Sequence, residues 1–416
     1  MNVLYYYAIA FIIIWILALA FKDKLKIDVS GPLLMRRTKR LRGFIESIAN
    51  LSPRFWRWFM NIGIPIAFFF MFLMVALLLY YLPTTFISPQ ASIILPGVDI
   101  PGSQIFVPFG YGIIALMTLL VVHEFGHGII ARVEGVRIKS IGVLLLAVLP
   151  GAFVEPDEED VEKSEKISKL RIYAAGSVFN LGLAAISLII FLFITVMTIG
   201  SIGLGIPGIN IPGTSVHTEP IQILNVSGPI YPTFHNDGML ITSVVPNSPA
   251  DGILKDGMVI QSINGVQTNN FTDYFGIVNE TKIGQVDTIQ TNEGTFTVKT
   301  GVNPNNASRG YVGVFTQQDL AVNSNVEKTL GIQIPWFIYD LSQLFYWILL
   351  LNFAVGIFNL LPMKPLDGGL MLEELLGYKL SDIWVNRIIT PLSYILILII
   401  VFIIGYSLLR GLFLLL

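Results

Sequence analysis

The sequence predicts a polytopic α-helical membrane protein of about six transmembrane helices, with a β-rich domain inserted outside the bilayer. Three observations predict this. Of 416 residues, 54% are hydrophobic and only 13% charged, about half the charged share of a soluble domain. The apolar residues gather into runs long enough to cross a ~30 Å hydrocarbon core, which takes ~20 helical residues. One long segment, 200–335, breaks the pattern with Gly, Asn, Thr, Pro and short β-branched runs. The composition excludes a soluble enzyme of ordinary make-up. With 26 Lys+Arg against 28 Asp+Glu, the chain lacks the positive excess that drives phosphate-backbone binding, so nucleic acid is not an expected partner. There is no cysteine, which excludes disulfides, thiolate zinc sites and cysteine nucleophiles. Any metal must be held by His, Asp or Glu.

Taken in order, the first span, Val3–Phe21, has no Lys or Arg before it and Lys22, Lys24 and Lys26 after it. That is the reverse of a cleaved signal peptide, so it is expected to stay as an anchor with its N-terminus outside. Residues 1–61 then form this helix and a basic loop that includes Arg36, Arg37, Lys39, Arg40 and Arg42. Spans at Ile62–Leu82, Phe109–Val133 and Ile172–Ile199 make the first part of a membrane core, 62–199. Spans at Trp336–Leu361 and Ile388–Leu409 make the second part within 336–416. Segments 22–61, 134–171 and 362–387, with Arg132, hold the great majority of the Lys and Arg, and loop 83–108 holds none. The positive-inside rule places those segments in the cytoplasm and 200–335 outside it. Asn-x-Ser/Thr triplets at Asn225, Asn270, Asn279 and Asn306 suit an extracytoplasmic surface, although Asn50-Leu51-Ser52 matches on the other side.

The apolar stretch Ile141–Val154 is too short to cross. It reads either as a re-entrant hairpin dipping into protein-lined space or as a buried cytoplasmic strand. The run Glu155–Asp160 after it reads as a solvated acidic loop.

The chemistry is concentrated in His123-Glu124-Phe125-Gly126-His127, near the cytoplasmic end of the third span. Residues four apart share a helix face, so both imidazoles reach one ion while Glu124 stands beside it to handle a water. A charge at mid-membrane costs ~2.5–3.5 kcal/mol on insertion scales. Spending that next to two of the chain's four histidines favours a zinc site over packed polar residues. A catalytic zinc usually has three protein ligands. No third histidine follows at the metzincin spacing, and His217 and His235 fall in the external segment, where they read as surface residues. Carboxylates remain. Asp367, just past the fifth span, and the Glu155–Asp160 run are the candidates.

HEFGH in one span, Asn359-Leu-Leu-Pro-Met-Lys-Pro-Leu-Asp-Gly-Gly369 at the end of a later one, and a domain between them resemble the site-2 protease family of intramembrane zinc metalloproteases. The likeness covers most of residues 100–370. It implies one Zn2+ held by His123, His127 and Asp367, with Glu124 as general base and acid. The family's Gly-x-x-x-Asn pattern is matched by Gly176 and Asn180, and Asn180 is open to two roles, an interhelical hydrogen bond or oxyanion stabilisation. Asn359, Pro362 and Pro365 are the expected supporting or substrate-positioning residues of the later motif. The two residues between Pro362 and Pro365 depart from the simplest family spelling, which bears on that loop's geometry.

Gly238-Met-Leu-Ile-Thr-Ser-Val-Val-Pro-Asn-Ser-Pro-Ala250 and Gly257-Met-Val-Ile-Gln-Ser-Ile-Asn-Gly265 are similar to the PDZ domains of bacterial and archaeal proteases, placing a PDZ-like module at about 224–318. The likeness implies that His235, Asn236, Asp237, Gly238 and Met239 form a loop presenting backbone N–H groups to a peptide's C-terminal carboxylate. The other reading is a spacer that only excludes bulky substrates. The expected activity is peptide hydrolysis in or near transmembrane segments of membrane-anchored proteins, after a first extracytoplasmic cut. A metal-binding receptor, scaffold or transporter is the alternative. Glu124 argues against the first two, since metal binding alone needs no base, and the lack of a repeated half argues against the third.

Overall fold

The structure, a computed structural model, describes residues 3–86, 94–98, 105–147, 149–198, 202–206, 221–226, 233–268, 271–303 and 306–413. The chain divides into two compact units, residues 1–191 with 342–416, and residues 192–341.

The first unit begins with α1 (Val3–Ala20) and a single turn, α2 (Lys22–Leu25), followed by β1 (Ile27–Ser30) and β2 (Leu33–Thr38). In α3 (Arg42–Leu51) Ile45 and Ala49, four apart, are buried. Ser52 then caps α4 (Pro53–Tyr81) by accepting from Phe55 N, with Pro53 in the first helical position where its missing N–H costs nothing. After α5 (Phe109–Val133) the chain forms the hairpin β3 (Ile138–Leu146) and β4 (Leu149–Pro156), the short α6 (Glu158–Lys163) and α7 (Lys166–Thr198).

The second unit is β-rich. It holds β5 (Ile202–Ile206), β6 (Ile221–Val226), β7 (Phe234–Val244), β8 (Val259–Ile263), β9 (Val266–Gln267), α8 (Phe271–Glu280), β10 (Val286–Thr291), β11 (Gly294–Lys299), β12 (Gly301–Asn303), β13 (Asn306–Tyr311), β14 (Val314–Val322) and α9 (Ser324–Leu330). Its main sheet runs β11-β10-β8-β7-β14, with β9 paired to β8. Met239, Ile241, Met258, Ile260 and Ile289 form its core. The chain returns through α10 (Gln333–Phe358), α11 (Asp367–Leu376) and α12 (Asp382–Phe413).

Among the described residues, α4, α5, α7, α10 and α12 are long and apolar enough to cross a membrane. The first expected span is shorter than these, since the apolar stretch described in α1 is Tyr7–Ala20. Phe72, Ile189, Phe193, Leu398 and Val401 are more than half exposed, a surface that suits hydrocarbon rather than water.

The hairpin of residues 141–154 is longer than the sequence suggests, and it joins a four-stranded antiparallel sheet ordered β1-β2-β3-β4. Strands β1 and β2 come from the basic loop, where the sequence alone does not predict them. Leu33-Leu-Met-Arg-Arg-Thr38 shows no clean alternation, and its pairing with β3, Leu33↔Leu146 to Thr38↔Ile141, is a long-range contact. At the turn, Ala147 has φ 54° and its carbonyl accepts from Trp15 Nε1 at 2.7 Å. The turn therefore lies beside apolar helix α1, five residues short of its end. β4 is an edge strand.

Candidate active site

Residues from distant parts of the chain converge on one point. His123 and His127 share a face of α5, and Asp367 opens α11. One donor atom from each lies within 4.8 Å of the others. The Nε2 atoms of the two histidines are 3.3 Å apart. His127 Nε2 stands 3.4 Å from Asp367 Oδ1, and His123 Nε2 stands 3.6 Å from Asp367 Oδ2. Tetrahedral zinc with bonds of ~2.0–2.1 Å needs donors ~3.3 Å apart, so two imidazoles and a carboxylate at these separations fit zinc in kind and spacing.

Asp367 arrives there because the turn before it folds back tightly. Asn359 O accepts from Gly368 N at 2.9 Å. A Cβ on Gly368 would strike Leu360 O, and one on Gly369 would lie 2.5 Å from Met363 C, so the paired glycines are what let the turn pass over the start of α11. Burial pushes the Asp367 pKa up, but His127, His123 and the Ser177 hydroxyl together hold it below the usual carboxylate value.

Behind the donors stands α7. His127 Nδ1 lies 2.8 Å from Ile172 O, Ser177 Oγ donates to Asp367 Oδ2 at 2.8 Å, and the Asn180 amide is 3.2 Å from His123 Nδ1. Gly176 lies between them. A Cβ there would strike His127 Nε2 and fall 2.5 Å from His123 Cε1. Ser177 was not foreseen, because a serine in an apolar helix carries no signal of what it faces.

Glu124 stands one residue from His123, its Oε2 accepting from Val154 N of β4 at 3.0 Å. A cavity of about 730 Å³ contains His123, Glu124, His127 and Asp367, with Asn359 and Pro365 in its wall. Pro362 is not among its lining residues. A second cavity of about 750 Å³ shares Glu124, Phe153 and Val154 with the first, and Lys24, Lys26, Arg36, Lys39 and Arg40 border it.

The acidic run is accounted for without a metal. Asp157 caps α6 by accepting from Glu159 N and Asp160 N. Arg137 grips Asp160 at 2.7 and 2.9 Å, and its guanidinium holds the Asp160 carboxyl down to about 2. Glu155 accepts from Ser140 Oγ. The run is thus more ordered than a solvated loop, and Glu155 and Glu158, with the later Glu162, line part of the first cavity.

The expected carboxylate loop in the second unit is corrected. His235, Asn236, Asp237, Gly238 and Met239 lie within β7, which is paired to β14 on one side and to β8 on the other. Of this stretch β14 pairs with His235, Asn236 and Met239, whereas β8 pairs only with Met239, so the segment is strand rather than loop. His235 pairs with Asp237 at 3.3 Å. His217 and Asn270 lie outside the described residues.

Comparison with known proteins agrees with this geometry. The model of peptidase family M50 matches residues 111–402, a stretch that contains every residue of the cluster. The chain is 28% identical over 376 residues to an uncharacterized protein of Methanocaldococcus jannaschii, covering 86% of this chain and 81% of that one. Over 164 residues it is 24% identical to the membrane-bound transcription factor site-2 protease homolog of Arabidopsis thaliana, covering 39% of this chain and 26% of the relative. The PDZ domain of the SdrC-like protein from Listeria monocytogenes matches 22% of this chain and 92% of its own length, with 18% identity and a TM-score of 0.17. With a family model spanning most of the chain and its motif residues gathered at one point, the protein belongs to peptidase family M50 and is a membrane metalloprotease.

Proposed function

We propose that the protein cuts membrane-anchored proteins in or near their transmembrane segments, with one zinc held by His123, His127 and Asp367 and with Glu124 as general base and acid. The observation that carries this is the convergence of the three donors beside Glu124. Zinc, when bound, supplies a Lewis acid and brings the pKa of its water toward ~7. The Val154 N–H fixes one oxygen of Glu124 and leaves the other to take the water's proton and pass it to the leaving amine.

A helical substrate must be unwound before its carbonyls can be attacked. β4 offers a replacement for the lost bonds, because it is an edge strand whose Val154 already contacts Glu124. A substrate strand added along it would bring a peptide bond to the site in extended form. The Lys/Arg asymmetry supports an orientation with the site toward the cytoplasm and the second unit outside. That unit's proposed role is to admit only substrates whose outer part has been trimmed.

The test is zinc content and cleavage of a model transmembrane substrate by the purified chain in detergent. Glu124→Gln should keep its zinc and lose about 10²–10⁴-fold in cleavage rate, and a chelator should abolish cleavage in the native chain. Full activity in Glu124→Gln would rule out the mechanism.

A further inference from the structure

We infer that one side of α7 supports the whole metal site, with Ser177 and Asn180 as positioning residues that hold Asp367 and His123 in the form a metal requires. This rests on the zinc reading above and adds to it residues that do not themselves bind the ion.

Ile172, Gly176, Ser177 and Asn180 follow one another at helical spacings of four, one and three, which keeps them on one side of a helix turning 100° per residue. Each polar member reaches a different donor residue: Ile172 O meets His127, Ser177 Oγ meets Asp367, and the Asn180 amide meets His123. Gly176 supplies the clearance that lets all three approach. Ser177 and Asn180 are fully buried, so their polar groups must be satisfied by protein or ligand rather than by bulk water.

The hydrogen bonds have to run in a definite direction. An imidazole that binds metal through Nε2 carries its proton on Nδ1 and must donate there. Ile172 O can only accept, which fixes His127 in that form. For His123 the same requirement demands acceptors around the ring: the Gly176 backbone already hydrogen-bonds it, and Asn180, 3.2 Å from Nδ1, joins in that role by presenting Oδ1. The structure places Nδ2 there, with Oδ1 buried and unpartnered. The two amide orientations differ only by a 180° turn about the last bond. One end of the amide lacks a protein partner in either, so partner count does not choose between them, and the histidine's tautomer does. Ser177, by donating to Oδ2, likewise holds the carboxylate with Oδ1 toward His127.

The experiment measures zinc retention by the full-length purified chain against a graded chelator series, beside thermal unfolding of each variant. Asn180→Leu and Ser177→Ala should each weaken zinc retention about 10–100-fold. Asn180→Asp, which offers only acceptors, should retain zinc at least as well as the native chain. A purely interhelical role for Asn180 would instead lower the unfolding temperature of Asn180→Leu and leave its chelator midpoint at the native value, and that result overturns the inference. So does loss of zinc from Asn180→Asp equal to that from Asn180→Leu. Should Asn180→Leu not fold, Asn180→Asp and Ser177→Ala decide the matter. A native chain without zinc removes the proposed function itself, whereas a zinc-loaded native chain with unaffected variants removes only this inference.

Discussion

Gly176 shows how much of this site depends on what a residue leaves out. Its hydrogen faces the space where the two imidazoles meet, and the Cβ of an alanine would strike His127 Nε2. The side chain that must yield is a proposed metal donor, so a small shift of a flexible tip, harmless elsewhere, is costly here. Gly176→Ala is expected to insert and fold with a near-native melting temperature, because alanine favours the helix by about 1 kcal/mol over glycine. It should lose most of its zinc and, with it, activity. Metal analysis of the monodisperse protein checks this, and native zinc content in that variant would mean the imidazoles have room to move aside.

Elements are also tied together outside the donors. Glu134, at the end of α5, has a side chain only 5% exposed and pairs with Arg57 of α4 at 3.1 Å and Arg171 of α7 at 3.2 Å. Ser168 donates to it as well, at 2.5 Å. Removing the shared carboxylate leaves Arg171 largely buried with Asn61 as its other partner, while the half-exposed Arg57 can turn to water. The loss should therefore fall below about 3–5 kcal/mol, the cost of breaking a fully buried pair. Glu134→Ala should still show a clear drop in unfolding temperature in detergent while its donors stay in place. A change within the scatter of surface substitutions would show that the cluster is solvated. The edge of β4 makes a separate prediction. Ala152 lies two residues before Val154 and so points its N–H the same way, out from β3. A proline is tolerated on such an edge but cannot donate from it. Ala152→Pro should keep zinc and stability yet cut a transmembrane substrate at least about tenfold more slowly, if substrates are held by strand addition. Unchanged cleavage would place substrate elsewhere.

At the scale of the whole molecule, every candidate donor belongs to the first unit. The module β7–β14 begins and ends at neighbouring points, since Asn323 N donates to Thr233 O at 2.9 Å. Excising residues 234–322 and joining the flanking chain should leave zinc retention unchanged. If the module selects trimmed substrates, intact ones should then be cut as readily as trimmed ones. Equal discrimination by the full and shortened chains would assign that selection to the membrane unit.

Much of this protein can be read from its sequence because the signals are local. Apolar runs report helices through solvent preference alone, and the third span predicted, Phe109–Val133, has the bounds of α5. Two histidines four apart with a glutamate between them specify a metal-binding face by helical periodicity, and Asp367 could be narrowed to one of two carboxylate candidates by its depth. The remainder required the folded chain. Strands β1 and β2 are not legible in the sequence because a strand of a few residues is decided by the partner it meets, and the partner of β2 lies about a hundred residues on. The segment His235–Met239 could not be known to lie within a strand until β14 was seen beside it. Ser177 and the carbonyl of Ile172 look like any others in an apolar helix. They acquire a role only where packing sets α7 against α5 and α11, since which atom faces a histidine is a property of the contact and not of the residue.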